Sequence, residues 1–426
     1  MKYLFKEVTI IDSAFSGTGE ITNILINDGI IEQIGDSLEV PGANIIEEEG
    51  LCCSIGWFDL SAYVGEPGFE HRETIESFIK TAAYGGFTEV ACLPNLYPIT
   101  QSKGSVEYFL YRTNNQSVRL HPIAAATHQT EGNDLTELLD LHAAGAVAYS
   151  DGLKPIQAAG TLLKTLEYLK IFGGVLLNRP ENASIATGGQ IHEGLVSTQL
   201  GLKGIPAIAE EVQVQRDLQL VEYSKGRIHF SQISTEGSVH AIRAAKKRGL
   251  NVTCDMAAHQ CAFIDETILP FDTSYKVAPP FRSQQDREAL LEAIEDGTID
   301  AIVSAHIPWD EESKELEFDL AEPGIIGAQT AFSIIHQSIE PTSSLAKVID
   351  LLSKGPRKVL SLPIPCLAEG QKANLTFFNP TKKWVFTSES NASLSQNSPF
   401  LGSELEGCVY GTFFNNHFTL NPTYSS

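Results

Sequence analysis

Few residues in this chain have the types and spacing that hydrolytic metal chemistry needs. His259, in the segment DMAAHQ, and His306, in SAHIPW, are histidines that could each bind a divalent metal ion. A catalytic zinc ion usually takes about three protein ligands, and neither histidine has a carboxylate beside it. Buried rings that form hydrogen bonds within the protein are therefore the simpler interpretation of both histidines.

Two aspartates and one asparagine are the other polar candidates. Asp59 follows an apolar run and Asp151 lies in YSDG, so each is a weak candidate metal ligand. Aspartate at such positions more often bonds its own backbone in a cap or turn. Asn95, in LPNLYP, could hold a carboxylate or carbonyl group through its amide, or could equally be a turn residue. From these residues we expect no metal site and no bound cofactor.

Other reaction classes leave no signature in the sequence. The seven cysteines never form a C-x-x-C pair and lie mostly in apolar runs, so we expect small buried hydrophobic residues rather than nucleophiles. There is no G-x-S-x-G elbow, no phosphate-binding G-x-x-x-x-G-K motif and no H-E-x-x-H motif.

Repeated strand and helix units must position these candidates. Apolar or β-branched runs alternate with stretches of helical periodicity, which predicts a closed (β/α)8 barrel of the TIM type, with any chemistry at the carboxyl ends of its strands. The predicted strands lie in CCSIGWFDL, TEVACLPN, VRLHPIAAAT, GAVAYSDG, GGVLLN, RIHFSQIS, NVTCDMAAH and DAIVSAHIP. Helices are predicted in ETIESFIKTAAYGG, LTELLDLHAAG, SVHAIRAAKKRG and DREALLEAIEDG.

The two ends of the chain have a different pattern. Alternating apolar and polar residues with Asp-Gly turns predict short antiparallel strands at both ends, which we expect to combine in one small β-sandwich domain. The predicted parts are residues 1–52 and 366–426 for this domain and 53–365 for the barrel.

Composition and charge restrict the partners. With 53 acidic against 30 basic residues the formal net charge is -23, so nucleic acid is not an expected partner. No run of about 18 apolar residues predicts a membrane span, and no secretory leader is evident at the amino end, so we expect a cytoplasmic protein without a membrane partner.

The order of several motifs resembles the dihydroorotase family of the amidohydrolase superfamily over almost the whole chain. The resemblance is carried by EPGFEHRETIESFIKTAAYGGFTEV, LPNLYP, GAVAYSDG, IHEGLVSTQLGLKGIPAIAEEVQVQRDLQL, ISTEGSVHAIRAAKKRG, DREALLEAIEDGTIDAI, GIIGAQTAF and QNSPFLG. It implies the barrel predicted above, zinc in the active members, and hydrolysis of a cyclic amide in pyrimidine biosynthesis.

The resemblance also implies that this chain has lost the start of the family's metal site. Where the family has D-x-H-x-H, the chain reads DLSAY, so that Ser61 and Tyr63 replace both histidines and only Asp59 is kept. The arginine that grips the substrate carboxylate in the family is replaced by Gly65.

Three further ligand positions of the family are changed. Asn178 stands where the family has the ligand histidine of H-C-E-D, and Gln232 where it has the histidine of H-V-S-T. The bridging acid of D-D-G aligns with Gly152, and Asp151 lies one residue before it. A slipped register would bring Asp151 into that place.

The family's base and two substrate-binding positions are changed as well. Ala305 replaces the aspartate of D-H-A-P-H that acts as ligand and base, Trp309 replaces its second histidine, and Ala278 replaces the asparagine of N-P-P-x-R. The residues retained from the substrate-binding set are Asn95, His306 and His259.

We therefore expect a non-catalytic relative with a structural or regulatory role. Because some members of the family pair with aspartate transcarbamoylase, that enzyme is the expected partner, and a homodimer is a further expectation from the resemblance. Two alternatives remain open at this point. One is an active hydrolase of cyclic amides or imides that uses His259, His306 and Asp151, and the other is a binding protein that holds a pyrimidine-like ring on Asn95, Tyr63 and Trp309.

Overall fold

The computed structural model describes residues 1–15, 17–36, 38–339 and 344–425, which form a parallel barrel and a terminal sheet. The strands are β1 Lys2–Ile10, β2 Ile21–Asn27, β3 Ile30–Gly35, β4 Asn44–Glu47, β5 Cys52–Ile55, β6 Trp57–Ala62, β7 Phe87–Cys92, β8 Arg119–Ala124, β9 Ala148–Tyr149, β10 Leu176–Asn178, β11 Ile191–His192, β12 Gly204–Ile205, β13 Ile228–Phe230, β14 Val252–Ala257, β15 Ala301–Val303, β16 Leu375–Val385, β17 Glu404–Phe414 and β18 His417–Leu420. The α-helices are α1 Ile75–Tyr84, α2 Lys103–Arg112, α3 Leu138–Ala144, α4 Ala159–Lys170, α5 Ala183–Ala186, α6 Leu195–Leu200, α7 Ile208–Ser224, α8 Glu236–Lys247, α9 Gln284–Glu295, α10 Glu311–Lys314, α11 Ala331–Ile339 and α12 Leu345–Leu360.

Eight strands form the barrel in the order β15, β14, β13, β10, β9, β8, β7 and β6, and neighbouring strands run parallel. The two end strands are brought together by a hydrogen bond from the Ser304 backbone N–H to Asp59 Oδ1 (3.1 Å) and by another from the Tyr63 N–H to the His306 carbonyl (2.9 Å). All eight strands overlap the segments predicted from the sequence. The segment CCSIGWFDL was predicted as one barrel strand, but the chain divides it into β5, which belongs to the terminal sheet, and β6 of the barrel. The structure thus confirms the (β/α)8 architecture.

Alternation along β6 shows how the barrel is packed. Phe58 and Leu60 point into the cluster that fills the barrel, whereas Trp57 belongs to the cluster between the barrel and its helices, and all three are fully buried. Burying an apolar side chain of this size stabilises the folded state by about 1.5–3 kcal/mol. The strand therefore has two apolar faces, as strands covered on both sides do.

The four helices predicted from periodicity are found as α1, α3, α8 and α9. Helix α1 begins with a capping box, in which Thr74 accepts from the Ser77 N–H (3.1 Å) and Ser77 accepts from the Thr74 N–H (3.0 Å). Helix α3 ends at Gly145 in the left-handed conformation that glycine favours. Local sequence signals thus set these helix ends.

The terminal sheet combines strands from both ends of the chain in the order β18, β17, β16, β5, β1, β2 and β3, with β4 paired to β1. Most neighbours are antiparallel, as predicted, but β4 and β5 run parallel to β1. After β3 the chain returns to the starting end of β1, so that β4 begins with Asn44 beside Tyr3 and runs in the same direction as β1. The core of the sheet includes Phe5, Phe377 and Phe413.

The chain passes from the terminal sheet into the barrel at Gly56, between β5 and β6. A Cβ atom at this position would lie 2.0 Å from Asn374 Oδ1, so only glycine fits the junction as it stands. Close by, the ring of Trp57 lies 4.8 Å from Phe332 of α11 and 5.3 Å from Phe378 of β16. The two parts thus share one packed interface. No helix within the described ranges is long and apolar enough to cross a membrane.

Candidate functional site

The carboxyl ends of the eight barrel strands form a rim that we call the mouth. Asp59 is the third of the six residues of β6, three positions before its carboxyl end, and is fully buried. Its carboxylate accepts from the Ser304 backbone N–H (3.1 Å), from the Ser304 hydroxyl, and from the Ser61 N–H (3.4 Å). Burial raises the pKa of Asp59 to about 7 in spite of these donors. The carboxylate thus serves to join strands within the protein.

The next residues along this loop pack against one another rather than facing an open site. Tyr63 is 4% exposed, its ring centroid lies 6.1 Å from that of Phe69, and burial raises its pKa to about 12. Gly65 has φ of +80°, and a Cβ there would lie 2.4 Å from the Glu73 carbonyl oxygen. An arginine at position 65 would need a different path of the loop.

Asn95 and Asp151 are brought together by the structure, together with Gly152. The Asn95 amide donates to the Asp151 carbonyl (3.1 Å), and its oxygen accepts from the Leu153 N–H (3.1 Å). A Cβ at Gly152, where φ is +63°, would lie 1.8 Å from Asn95 Oδ1. The amide therefore occupies the space that an acidic side chain at position 152 would need.

Asp151 is buried and forms its side-chain hydrogen bonds with Thr127. Its two oxygens accept from the Thr127 N–H (2.9 Å) and the Thr127 hydroxyl (2.6 Å). Burial raises the pKa of Asp151 above the ordinary value of an aspartate. Thr127 thus holds the carboxylate that a slipped register would have offered to a metal.

Asn178 is directed towards helix α7. Its amide donates to Asp217 Oδ2 (2.8 Å), its oxygen accepts from the Ile156 N–H (3.3 Å), and both side chains are buried. Burial raises the pKa of Asp217 to about 6, although Arg216 pairs with its other oxygen at 2.7 Å. Asn178 is therefore part of a polar network between strand and helix.

Gln232 and His259 each contact further buried residues. The Gln232 N–H donates to Asp255 Oδ1 (2.6 Å), while the other oxygen of Asp255 contacts His229 Nε2 (2.7 Å). His259 packs edge to face on Phe281 with ring centroids 5.6 Å apart, and burial lowers its pKa to about 4. His259 therefore stays neutral at physiological pH.

His306 is fully buried beside the changed base position. Its Nδ1 accepts from the Ala328 N–H (3.4 Å) and its Nε2 lies 3.4 Å from Glu73 Oε2. Ala305 precedes it with φ of +47°, an unusual conformation for alanine. Ala278 precedes a cis proline in the neighbouring loop and carries no functional group.

Trp309 packs at the edge of the mouth. Its indole N–H donates to the Pro323 carbonyl (3.0 Å), and the Arg72 guanidinium lies 4.0 Å from its ring centroid. Arg72 also donates to Asp310 (3.3 Å). The indole is therefore held by protein contacts on its edge and on one face.

Glu73 is a buried residue that sequence reasoning missed. Its carboxylate accepts from the Ser77 hydroxyl of α1, from the Ser393 hydroxyl, and from the Leu394 N–H (3.4 Å). It ties a loop of the terminal domain to the barrel. The only signal in the sequence was its place one residue before the cap of α1, and an acidic residue there is common at any helix start.

The donor groups of this mouth do not suit zinc. Zinc ligands are thiolates, imidazoles and carboxylates, whereas the implied ligand positions carry hydroxyl, amide or methyl groups. The carboxylates at or beside these positions already accept hydrogen bonds from donors of the protein, and they are those of Asp59, Asp151, Asp217 and Asp255. Within the described ranges, no group of three or more His, Cys, Asp or Glu side chains is arranged to hold a metal ion.

Comparison with known structures agrees with this fold. The L-hydantoinase of Arthrobacter aurescens superimposes with a TM-score of 0.84 at 21% identity, covering 98% of this chain and 95% of that chain. The dihydropyrimidinase of Brevibacillus agri NCHU1002 gives a TM-score of 0.83 at 18% identity, covering 99% of this chain and 95% of that chain. At such identities these likenesses concern the fold alone.

Comparison of sequences identifies the family. The family described as "Dihydro-orotase-like" matches residues 53–238. The dihydroorotase of Pelotomaculum thermopropionicum is 38% identical over 97% of both chains. That of Acetivibrio thermocellus is also 38% identical, over 94% of this chain and 95% of the relative. Since this similarity extends over nearly the full length, the chain belongs to the dihydroorotase family.

Proposed function

We propose that this chain is a non-catalytic dihydroorotase homologue with a structural or regulatory role in pyrimidine biosynthesis. The observation that carries the proposal is that Asp59 and Asp151, the two aspartates within the family's metal-binding motifs, are buried and accept hydrogen bonds from Ser304, Ser61 and Thr127. A carboxylate held in this way would have to break its own hydrogen bonds in order to bind a metal ion or a substrate.

Chemical requirements support this proposal. Hydrolysis of an amide needs an activated water, because free water has a pKa of about 15.7 and zinc lowers it to about 7. It also needs an acid or base that reaches the leaving nitrogen. Ala305 offers no proton acceptor at the base position, and the surviving histidines are both buried.

An active site made from His259, His306 and Asp151 receives less support. These three side chains contact Phe281, Glu73 and Thr127 respectively, and no hydrogen bond or ion pair between them is found in the described part of the chain. A pyrimidine-binding role is also weaker, because Asn95 already uses its amide N–H and its oxygen on the neighbouring loop.

The decisive experiment measures dihydroorotate hydrolysis and zinc content on the same preparation. The matched control is the dihydroorotase of Pelotomaculum thermopropionicum, expressed and purified in the same way. We expect no turnover above the buffer rate at any added zinc concentration and no stoichiometric zinc after dialysis. Ring opening at a rate near that of the control, or one or two tightly held zinc ions per chain, would contradict the proposal.

We further propose aspartate transcarbamoylase as the partner of this chain, on analogy with other family members. Size-exclusion chromatography of the two purified proteins, alone and mixed, tests this. A new peak of larger size that contains both chains is the expected result. Two unchanged peaks at micromolar concentrations would exclude a stable complex.

A further inference from the structure

A long groove runs along the segment that follows the last barrel strand. It consists of two adjoining depressions with volumes of about 700 and 710 Å³, which share His71, Asp310, Glu311 and Leu316 in their walls. One depression is closed on its far side by the loops around Phe271 and Leu394. The groove thus lies between the barrel and the terminal domain, and Trp309, at the edge of the mouth, forms part of its wall.

Four large apolar side chains stand exposed along this groove. Phe271 is 46% exposed, Leu316 44%, Leu320 62% and Leu394 54%. The ring centroid of Phe271 lies 6.4 Å from that of the buried Phe318. Single exposed apolar residues are common on any surface, but several that line one groove mark an interaction site.

The rim of the groove carries unneutralised negative charge. Glu311, Glu312, Glu315 and Glu322 are exposed, and none of them forms an ion pair with any residue that the structure describes. Lys314, the one lysine among residues 309–324, is buried and forms no ion pair with these four glutamates, although it interacts electrostatically with Glu322. Its ammonium group donates to the carbonyl of Glu322 (2.8 Å), and the residue is 7% exposed.

The other basic side chains beside the groove already contact a carboxylate of the protein. Arg72 Nε lies 3.3 Å and His71 Nε2 lies 3.4 Å from the same carboxylate oxygen of Asp310. The rim therefore offers free acidic groups above an apolar floor. A matching occupant carries basic side chains at its edges and apolar side chains at its centre.

We propose that this groove docks a segment of a partner protein in which lysine or arginine residues alternate with leucine-like residues. A peptide segment fits better than a compact small molecule, because the apolar side chains are spread along both depressions. The biological meaning of this docking rests on the proposed non-catalytic role, whereas the existence of the surface does not.

The test selects peptides from a random 12-residue display library on the immobilised full-length chain. Two groove variants are used for comparison, Glu311→Lys with Glu315→Lys and Leu316→Ser with Leu320→Ser. The matched control is Glu288→Lys with Glu292→Lys on α9, which makes the same change of net charge at exposed positions elsewhere. Thermal melts of every variant confirm that each one is folded.

Selected peptides are expected to be rich in Lys, Arg and large apolar residues. Affinity of a selected peptide is expected to fall by about tenfold or more in both groove variants and to stay within about twofold in the control. An equal loss in the control, an unchanged affinity in the groove variants, or a selection without basic and apolar enrichment would overturn the proposal. Equally tight binding of spermine would overturn it as well.

The two proposals fail in different ways. Dihydroorotate turnover would contradict the proposed function but would not affect the result of the peptide-binding experiment. If the transcarbamoylase binds wild type and both groove variants equally, the partnership stands and the groove is not its docking site.

Discussion

Ser304 donates its backbone N–H and its hydroxyl to the carboxylate of Asp59, and this pair joins the last strand of the barrel to the first. In the family, according to the resemblance, the equivalent of Asp59 begins a metal-binding motif. Here its carboxylate closes the barrel. Such a structural role would keep a buried acid at this position independently of any metal ion.

The first prediction concerns the pH dependence of stability through Asp59. Its pKa of about 7 in the folded chain lies above the ordinary value of 3.8, so the folded state binds the proton more tightly. The resulting stability is present below pH 3.8 and is lost as the pH rises towards 7. Asp59→Asn cannot titrate. As the pH is raised from 5 to 8, we expect the difference in the free energy of unfolding between variant and wild type to shift by about 2–3 kcal/mol in favour of the variant.

Urea denaturation of wild type and Asp59→Asn at pH 5 and at pH 8 measures this change in the free energy of unfolding. Asp140→Asn, an exposed aspartate on α3, serves as the control. A constant difference between Asp59→Asn and wild type across this pH range would show that Asp59 is ionised in the folded protein throughout.

The second prediction concerns Gly152. Gly152→Ala is expected to cost about 1–3 kcal/mol of stability, because the new Cβ meets Asn95 Oδ1. Gly201→Ala is the control, since Gly201 has a similar φ of +67° and no atom within 4 Å of the added Cβ. Combining Gly152→Ala with Asn95→Ala should cost less than the sum of the two single changes. Strict additivity in chemical denaturation would mean that the two side chains do not compete for space.

The third prediction concerns the hydrogen bond between Asn178 and Asp217. Asn178→Ala should lower the free energy of unfolding by about 1–3 kcal/mol, because a buried carboxylate oxygen loses its donor. The pKa of Asp217, already raised to about 6 by burial, should rise further. The loss in the free energy of unfolding should therefore be larger at pH 8, where the Asp217 carboxylate must ionise, than at pH 5.

Asn251→Ala, at an exposed asparagine, is the control for this substitution, and Asp217→Asn in the Asn178→Ala background should remove the pH dependence. If the deficit is the same at pH 5 and pH 8, Asp217 is not the group that senses the loss.

The fourth prediction concerns the contact of Glu73 with Ser393 and Leu394. Glu73→Gln weakens the acceptor that holds this loop, so amide hydrogen exchange in residues 390–398 should accelerate by about tenfold. Glu76→Gln, at an exposed position of α1, should leave that exchange unchanged. Unaltered exchange in Glu73→Gln would mean that packing, and not this carboxylate, holds the loop.

The barrel could be predicted because its signals are local. Each strand is a short apolar run followed by a turn, and helices such as α8 and α9 show apolar residues at three- and four-residue spacing. The antiparallel prediction was wrong for β4, since alternation indicates a strand but not which way its neighbour runs. The prediction of CCSIGWFDL as one barrel strand was wrong for β5, which is part of the terminal sheet.

The partners of the site residues could not be predicted in the same way. The sequence placed Asn178 at the mouth, but its amide donor is directed to Asp217, on a helix 39 residues later. Ser304, the partner of Asp59, is 245 residues away. Glu73 resembled any acidic residue at a helix start, and only the folded chain brings Ser393 to it.

The placement of β5 between β1 and β16 has a consequence for synthesis of the protein. Strands β1 to β5 leave the ribosome before the barrel, yet β5 pairs on one side with β16, which is made only after the entire barrel. Until then, one edge of the nascent amino-terminal strands has no neighbour, and such edges invite pairing with other chains. The nascent chain should therefore depend on chaperones until β16 has been synthesised and can pair with β5.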